Sequence, residues 1–166
     1  AMEYALDPNG DNDTSDAVDI INLSLGRPYT HPYYSAVSKA IEDAYALGVL
    51  TVVAAGNFGN RPGIIFEAAS TPNAFAVGAT GVAESSEEGG MADYSSRGPS
   101  AAAQIQVKPD LVAPGGPFDL AAAGTGNVYH KGVRGTSYST PIVAGAAALI
   151  KERCPECSPF SIKTIL

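Results

Sequence analysis

An α/β fold, in which helices cover a parallel sheet, is predicted by three features of this sequence. Two apolar runs, residues 18–23 and 49–55, have the length and composition of buried strands. Between them, residues 33–47 carry apolar side chains at helical spacing, namely Val37, Ile41, Ala44 and Tyr45. A strand, a helix and a strand in this order form a βαβ unit, whose two strands run parallel. We therefore expect one α/β unit in these 166 residues, a length that allows a sizeable core.

The later elements continue the same pattern. Residues 74–79 (AFAVGA) predict a further short strand. A helix is expected over residues 137–153, with Pro141 near its first turns, where a proline costs least. A last helix begins at Ser158-Pro159, because proline suits the first helical position. Two segments rich in glycine, proline or polar residues are predicted to be irregular: 85–90 and 114–126.

The net charge of −7 is concentrated near the N-terminus. Residues 1–20 hold six acidic residues and no lysine or arginine, whereas the rest of the chain has eleven acidic and ten basic residues. This distribution argues against nucleic acid as a partner. The longest apolar run, residues 142–150, is too short to span a membrane. The N-terminus shows no signal sequence, so any export signal is expected outside this chain.

The acidic segment 1–17, interpreted as a loop, offers oxygen ligands at closely spaced positions. Calcium requires six to eight oxygen atoms that converge on the ion. Gly10 falls two places early for an EF-hand loop, and no glutamate closes the series. The segment is therefore either a structural Ca²⁺ site or a solvated acidic turn. The candidate ligands are Asp7, Asn9, Asp11, Asp13 and Asp16.

Cys154 and Cys157 form a C-x-x-C pair just after the long predicted helix. A lone pair cannot complete a four-ligand zinc site. The remaining alternatives are free thiols and a short local disulfide, of which we favour the disulfide. A disulfide would suit an oxidising, extracellular setting.

Residues 135–145 (GTSYSTPIVAG) place a serine at the start of a helix built from small residues. Gly135 allows a sharp turn, and the hydroxyls of Thr136 and Ser137 can occupy capping positions. A hydroxyl at a helix N-terminus lies in a positive field that favours negative charge nearby. The segment is thus either a site for a nucleophile or an ordinary helix cap.

The longer string resembles the nucleophile motif GTSxxxPxVAG of the subtilisin-like serine proteases, the subtilases. Other segments resemble blocks of the same family in the same chain order: residues 22–26 (NLSLG), 53–57 (VAAGN), 94–99 (YSSRGP) and 108–115 (KPDLVAPG). The resemblance covers about Asp19 to Leu166. It implies the C-terminal half of a subtilisin-like catalytic domain, with a parallel sheet flanked by helices, in a secreted or extracellular serine endopeptidase.

The resemblance also implies roles for individual residues. Ser137 is the expected nucleophile, and Asn57, otherwise a turn residue, is the expected oxyanion donor. Both should meet at the carboxyl end of the sheet. One substrate-binding wall is expected from Ser24, Leu25 and Gly26, which would pair with an extended peptide. The opposite wall is expected from Ala54, Ala55 and Gly56, whose small side chains would leave room for a large apolar one.

The expected general base is not found in the sequence. In subtilases the triad appears in the order Asp, His, Ser, and no segment here resembles the Asp or His block. His31 and His130 stand outside any such block, so structural roles are expected for both. We therefore expect a chain that is inactive alone, needs no cofactor for its chemistry, and acts on peptides together with an N-terminal half. The alternative is a non-catalytic binding module or pseudo-protease fragment of the same fold. A non-protease α/β hydrolase would require G-x-S-x-G, which is absent here.

Overall fold

A four-stranded parallel sheet forms the centre of the computed structural model, which describes residues 1–28, 35–61, 63–81, 90–99, 107–124, 126 and 128–166. The strands lie in the sheet in the order in which they occur in the chain. They are β1 (Ile20–Leu23), β2 (Leu50–Ala54), β3 (Phe75–Thr80) and β4 (Leu111–Pro114). The predicted α/β class with a parallel sheet is therefore confirmed.

The predicted βαβ unit consists of β1, helix α2 (Ala36–Ala46) and β2. Ile20 of β1 lies opposite Leu50 of β2, so the two strands are in parallel register along their length. The helix begins at Ala36 because Ser35 caps it, its hydroxyl accepting a hydrogen bond from the N–H of Ser38 at 3.0 Å.

Apolar side chains on both faces of the sheet are buried, as expected for parallel strands covered on both sides. Val53 of β2 packs with Ile41 of α2 in one cluster. Leu50 and Val52 belong to a second cluster, which includes Val143 of helix α3 (Thr136–Arg153). Helix α3 packs against all four strands. The two clusters hold the ends of β1 and β2 in place for the site described below.

An ion-pair cluster that includes a buried lysine links the last helix, α4 (Pro159–Ile165), to the sheet. The ammonium group of Lys108 donates hydrogen bonds to the carbonyl of Ala74 and to Asp110 Oδ2, both at 2.8 Å. Lys163 of α4 binds the other carboxylate oxygen of Asp110 at 2.8 Å. Burial lowers the pKa of Lys108 from 10.5 to about 8, although the carboxylate of Asp110 partly opposes this shift.

Strand β4 was not predicted from the sequence, and two further segments differ from the prediction. The segment 114–126 is not wholly irregular, since it contains β5 (Phe118–Ala121), which pairs antiparallel with β6 (Tyr129–Val133). This ribbon is mostly exposed, so its sequence lacks the apolar alternation of a half-buried strand. The N-terminal segment includes a short helix, α1 (Met2–Leu6), before the acidic loop proper.

Of the predicted loop 85–90, only residue 90 lies within the described residues. None of the helices in the described ranges has the length and apolar character needed to cross a membrane.

Candidate active site

Asn57 and the turn that precedes Ser137 meet at the carboxyl end of the sheet. Asn57 lies three residues beyond the end of β2, and Ser137 is the second residue of α3. Thr136 joins them, because its N–H donates to Asn57 Oδ1 at 2.8 Å and its hydroxyl donates to the same oxygen at 3.0 Å. The predicted meeting of these segments, 80 residues apart in sequence, is confirmed.

The hydrogen bonds of Asn57 determine which of its atoms is free to act on a ligand. Its oxygen accepts both bonds from Thr136, so its Nδ2 is left as the donor toward the site. A Cβ atom at Gly135 would lie 3.3 Å from Nδ2, and glycine leaves this space open. The N–H of Ser137 belongs to the first turn of α3, where no helical carbonyl is available to accept it. Two N–H donors at a helix N-terminus can stabilise a negatively charged oxygen.

Ser137 lies directly against the predicted substrate-binding segment. Its hydroxyl donates to the carbonyl of Ser24 at 3.2 Å, and the hydroxyl of Ser24 donates to the carbonyl of Ser137 at 3.0 Å. Asn22 at the end of β1 donates to the Ser24 hydroxyl at 3.0 Å, which fixes this side chain. The segment Ser24–Gly26 thus flanks the candidate nucleophile.

Within the described residues, no histidine is a hydrogen-bond partner of Ser137. His130 is exposed on β6, where it lies opposite Leu120. His31 lies outside the described residues. The hydroxyl proton of Ser137 is directed at the Ser24 carbonyl rather than at an imidazole.

Several residues that the sequence analysis did not single out hold the site together. The hydroxyl of Tyr94 and the N–H of Gly135 both donate to the carbonyl of Gly115, at 2.9 and 2.8 Å. Ser96 accepts a hydrogen bond from the N–H of Phe58, the residue after Asn57, at 3.1 Å. The segments 94–99 and 108–115, identified from the resemblance alone, therefore support the turns that carry Asn57 and Ser137. No signal in the sequence indicated this supporting role.

The segment Ala54–Gly56, predicted to form the second substrate-binding wall, is packed differently from the expectation. The N–H of Gly56 donates to the hydroxyl of Thr136 at 3.2 Å, which places this segment beside the site. Ala54 and Ala55 are fully buried in the cluster that contains Phe66. A Cβ atom at Gly26 would lie only 2.6 Å from the ring of Phe66. The room expected for a large apolar side chain is therefore already filled by this ring.

The acidic loop is folded by hydrogen bonds between its side chains and its own backbone. Asp7 accepts from the N–H groups of Gly10 at 2.8 Å, Asp11 at 3.1 Å and Asn12 at 2.9 Å. Three further side chains, Asn9, Asp11 and Asp13, each accept from the N–H two residues later, whereas Asp16 is exposed. Within the described ranges, no three His, Cys, Asp or Glu side chains are grouped to hold a metal ion. Calcium binding by these residues stays a prediction.

Cys154 and Cys157 are joined by a disulfide just after α3, as predicted, with an Sγ–Sγ distance of 2.12 Å.

Comparison with known proteins identifies the family. Residues 1–166 match the subtilase family, peptidase S8. Serine protease AprX of Bacillus subtilis is 32% identical and Subtilisin Savinase of Lederbergia lenta is 36% identical, over 99% and 89% of this chain. The structure of Sphericase superposes with a TM-score of 0.73 and 34% identity over 89% of this chain. The chain spans 40% of AprX and 47% of the other two proteins. It belongs to the subtilase family of serine proteases.

Proposed function

We propose that the protein containing this chain hydrolyses peptide bonds through an acyl-enzyme formed on Ser137. The observation that carries the proposal is the arrangement of Ser137, Asn57 and Ser24. The hydroxyl of Ser137 lies at a helix N-terminus, beside an amide donor fixed by Thr136 and beside the backbone of a candidate substrate segment. Membership of the subtilase family supports the same reaction class.

In the proposed reaction, Ser137 Oγ attacks the carbonyl carbon of the peptide bond as its proton passes to a general base. The carbonyl oxygen becomes an oxyanion that accepts hydrogen bonds from the Ser137 N–H and from Asn57 Nδ2. The C–N bond then breaks, and the base returns the proton to the leaving amine. Water then attacks the carbonyl carbon of the ester while the base takes its proton, and the bond to Ser137 Oγ breaks as the base returns the proton to Oγ.

We propose that the base and its orienting carboxylate lie outside these 166 residues. The hydroxyl of Ser137 is bonded to the Ser24 carbonyl, and His130 is exposed on the β5–β6 ribbon. A serine hydroxyl without a neighbouring base is a weak nucleophile. The 166-residue polypeptide by itself should therefore show no peptidase activity.

The proposed substrate is an extended peptide or protein segment. In the described part of the sheet, β1 pairs only with β2, so the Ser24–Gly26 segment continues an open edge to which a further strand can add. The Cys154–Cys157 disulfide favours an oxidising compartment, and we propose that the protein is secreted.

The test is hydrolysis of a chromogenic peptide by the full-length protein and by Ser137→Ala. We expect loss of activity in the variant, with an unchanged melting temperature. Ser15→Ala, which alters an exposed serine in the N-terminal loop, is the matched control and should retain full activity. If Ser137→Ala retained the wild-type rate, or if a folded full-length protein cleaved no peptide, the non-catalytic module would be the correct alternative.

A further inference from the structure

The ring of Phe66 lies between the two segments proposed to bind substrate. A Cβ atom at Gly26 would lie 2.6 Å from the ring, and a Cβ atom at Gly56 would lie 3.1 Å from it. Gly26 belongs to the segment after β1, and Gly56 belongs to the segment after β2. One aromatic side chain therefore contacts both walls at once.

The position of this ring is fixed by the main chain and by a neighbouring aromatic. The N–H of Phe66 donates to the carbonyl of Ala55 at 2.8 Å, which ties residue 66 to the end of β2. Phe58 packs edge-on against the ring, with 5.9 Å between ring centroids. Phe66 is 8% exposed, so little of the ring faces solvent.

Little space remains between the two walls for a substrate side chain. Glycine is needed at position 26 to accommodate Phe66, because any side chain there would overlap the ring. A cavity of about 330 Å³ does lie beside Gly26. Its lining residues are Leu25, Gly26, Arg27, Val37, Glu67 and Ala68, and none belongs to the Ala54–Gly56 wall. This open volume is therefore not shared by the two walls.

We infer that Phe66 determines specificity by restricting the residue immediately before the cleaved bond to a small side chain, such as glycine, alanine or serine. The inference rests on the proposed function, because it assigns the substrate residue that lies between the Ser24–Gly26 and Ala54–Gly56 segments. A large apolar residue at this position must displace the ring, whereas a methyl group need not.

The first test compares hydrolysis of succinyl-Ala-Ala-Pro-Xaa-p-nitroanilide with Xaa as alanine or phenylalanine. The full-length wild-type protein should have a kcat/KM for alanine at least about tenfold above that for phenylalanine. Phe66→Ala should reverse this preference by enlarging the space between the walls. Phe66→Leu preserves more of the packing, so it should shift the ratio of the two kcat/KM values in the same direction by a smaller factor.

Phe160→Ala is the matched control, because Phe160 is an exposed phenylalanine on α4. It should leave the wild-type preference unchanged. A wild-type preference for phenylalanine, or a preference that neither Phe66 variant alters, would overturn the inference.

A binding measurement separates this inference from the proposed function. Calorimetric titration with the product peptides Ala-Ala-Pro-Ala and Ala-Ala-Pro-Phe requires no turnover and can be performed on folded Ser137→Ala protein. We expect tighter binding of the peptide ending in alanine, and the reverse when Phe66→Ala is added. If the expected binding selectivity were found but the full-length wild-type protein hydrolysed no peptide, only the catalytic proposal would be refuted. Equal affinities, tighter binding of the phenylalanine peptide, or no binding of either would overturn the assignment of Phe66, even in an active enzyme.

Discussion

The oxygen and the nitrogen of the Asn57 amide differ in their hydrogen bonding, and the proposed function gives them separate roles. Its oxygen accepts two hydrogen bonds from Thr136 and thereby fixes the start of α3, while its nitrogen is left as a donor. Apart from the family resemblance, the sequence offers only a Gly-Asn pair here, which is common in turns. The structure adds that the same side chain connects the end of β2 to Thr136, the residue preceding the candidate nucleophile.

The two roles of Asn57 can be separated by substitution. Asn57→Asp retains the acceptor for Thr136 but removes the donor, so kcat should fall by at least about 10²–10³-fold, the loss known for this donor in subtilisin. Its melting temperature should stay close to wild type. Asn57→Ala should lose activity and also about 1–3 kcal/mol of unfolding free energy, since Thr136 loses its acceptor. Steady-state kinetics and thermal melts check both effects. Wild-type kcat in Asn57→Asp would contradict the donor role.

Single residues were predictable from the sequence only where a motif marks them. Ser137 and Asn57 stand in strings that resemble family motifs, and the structure brings their segments together as expected. Phe66 stands in a short connection without periodicity, so its position between Gly26 and Gly56 could not be read from spacing. The prediction of open space between the two substrate-binding walls was wrong for this reason.

Among the elements, those with strong apolar patterns were predicted well. The strands β1, β2 and β3 and the helices α2, α3 and α4 lie within a few residues of their predicted bounds. The β5–β6 ribbon was missed, because its mostly exposed strands do not need apolar alternation to pair. Helix α1, only five residues long, is too short to show a helical period.

The free energy of unfolding should depend on pH through Lys108, which lies in the ion-pair cluster between α4 and the sheet. The folded state holds this lysine with a pKa of about 8, below its ordinary 10.5, because of burial. Between these values the unfolded chain binds more protons, so the free energy of unfolding should rise with pH. From pH 8 to 10.5, wild type should gain on the order of 3 kcal/mol relative to Lys108→Met.

Urea unfolding at several pH values measures this difference. Lys39→Met, which alters an exposed lysine on α2, is the matched control and should show no comparable change. A difference between wild type and Lys108→Met that stays constant from pH 7 to 10.5 would contradict the account.

The acidic loop gives a further prediction at the scale of an element. Its carboxylates repel one another, and the calcium hypothesis holds that a bound dication removes this repulsion and stabilises the fold. The melting temperature in millimolar calcium should then exceed that in chelator, and Asp7→Asn should reduce the difference. Identical melting temperatures in calcium and in chelator, together with a calorimetric titration that shows no heat, would reject the calcium hypothesis. The segment would then be a solvated acidic turn held by hydrogen bonds to its own backbone.

For the whole molecule, the exposed side of α3 shows where further chain could pack. This helix is apolar around much of its surface. Nevertheless, Ile142 is 45% exposed and Leu149 is 68% exposed, and neither residue belongs to a buried cluster. An apolar helix of this kind is normally covered on most sides. The chain spans 40% of AprX and 47% of Subtilisin Savinase. We propose that the base belongs to another segment. The exposed face of α3 could not be predicted from the sequence, since it depends on how α3 crosses the four strands.

The central claim is that Ser137 forms the covalent intermediate. The most direct measurement is treatment of the full-length protein with a fluorophosphonate, followed by peptide mapping by mass spectrometry. The account predicts a single adduct on Ser137, none in Ser137→Ala, and none in the 166-residue polypeptide by itself. An adduct on a different serine, or a protein that cleaves peptides without labelling at Ser137, would contradict it.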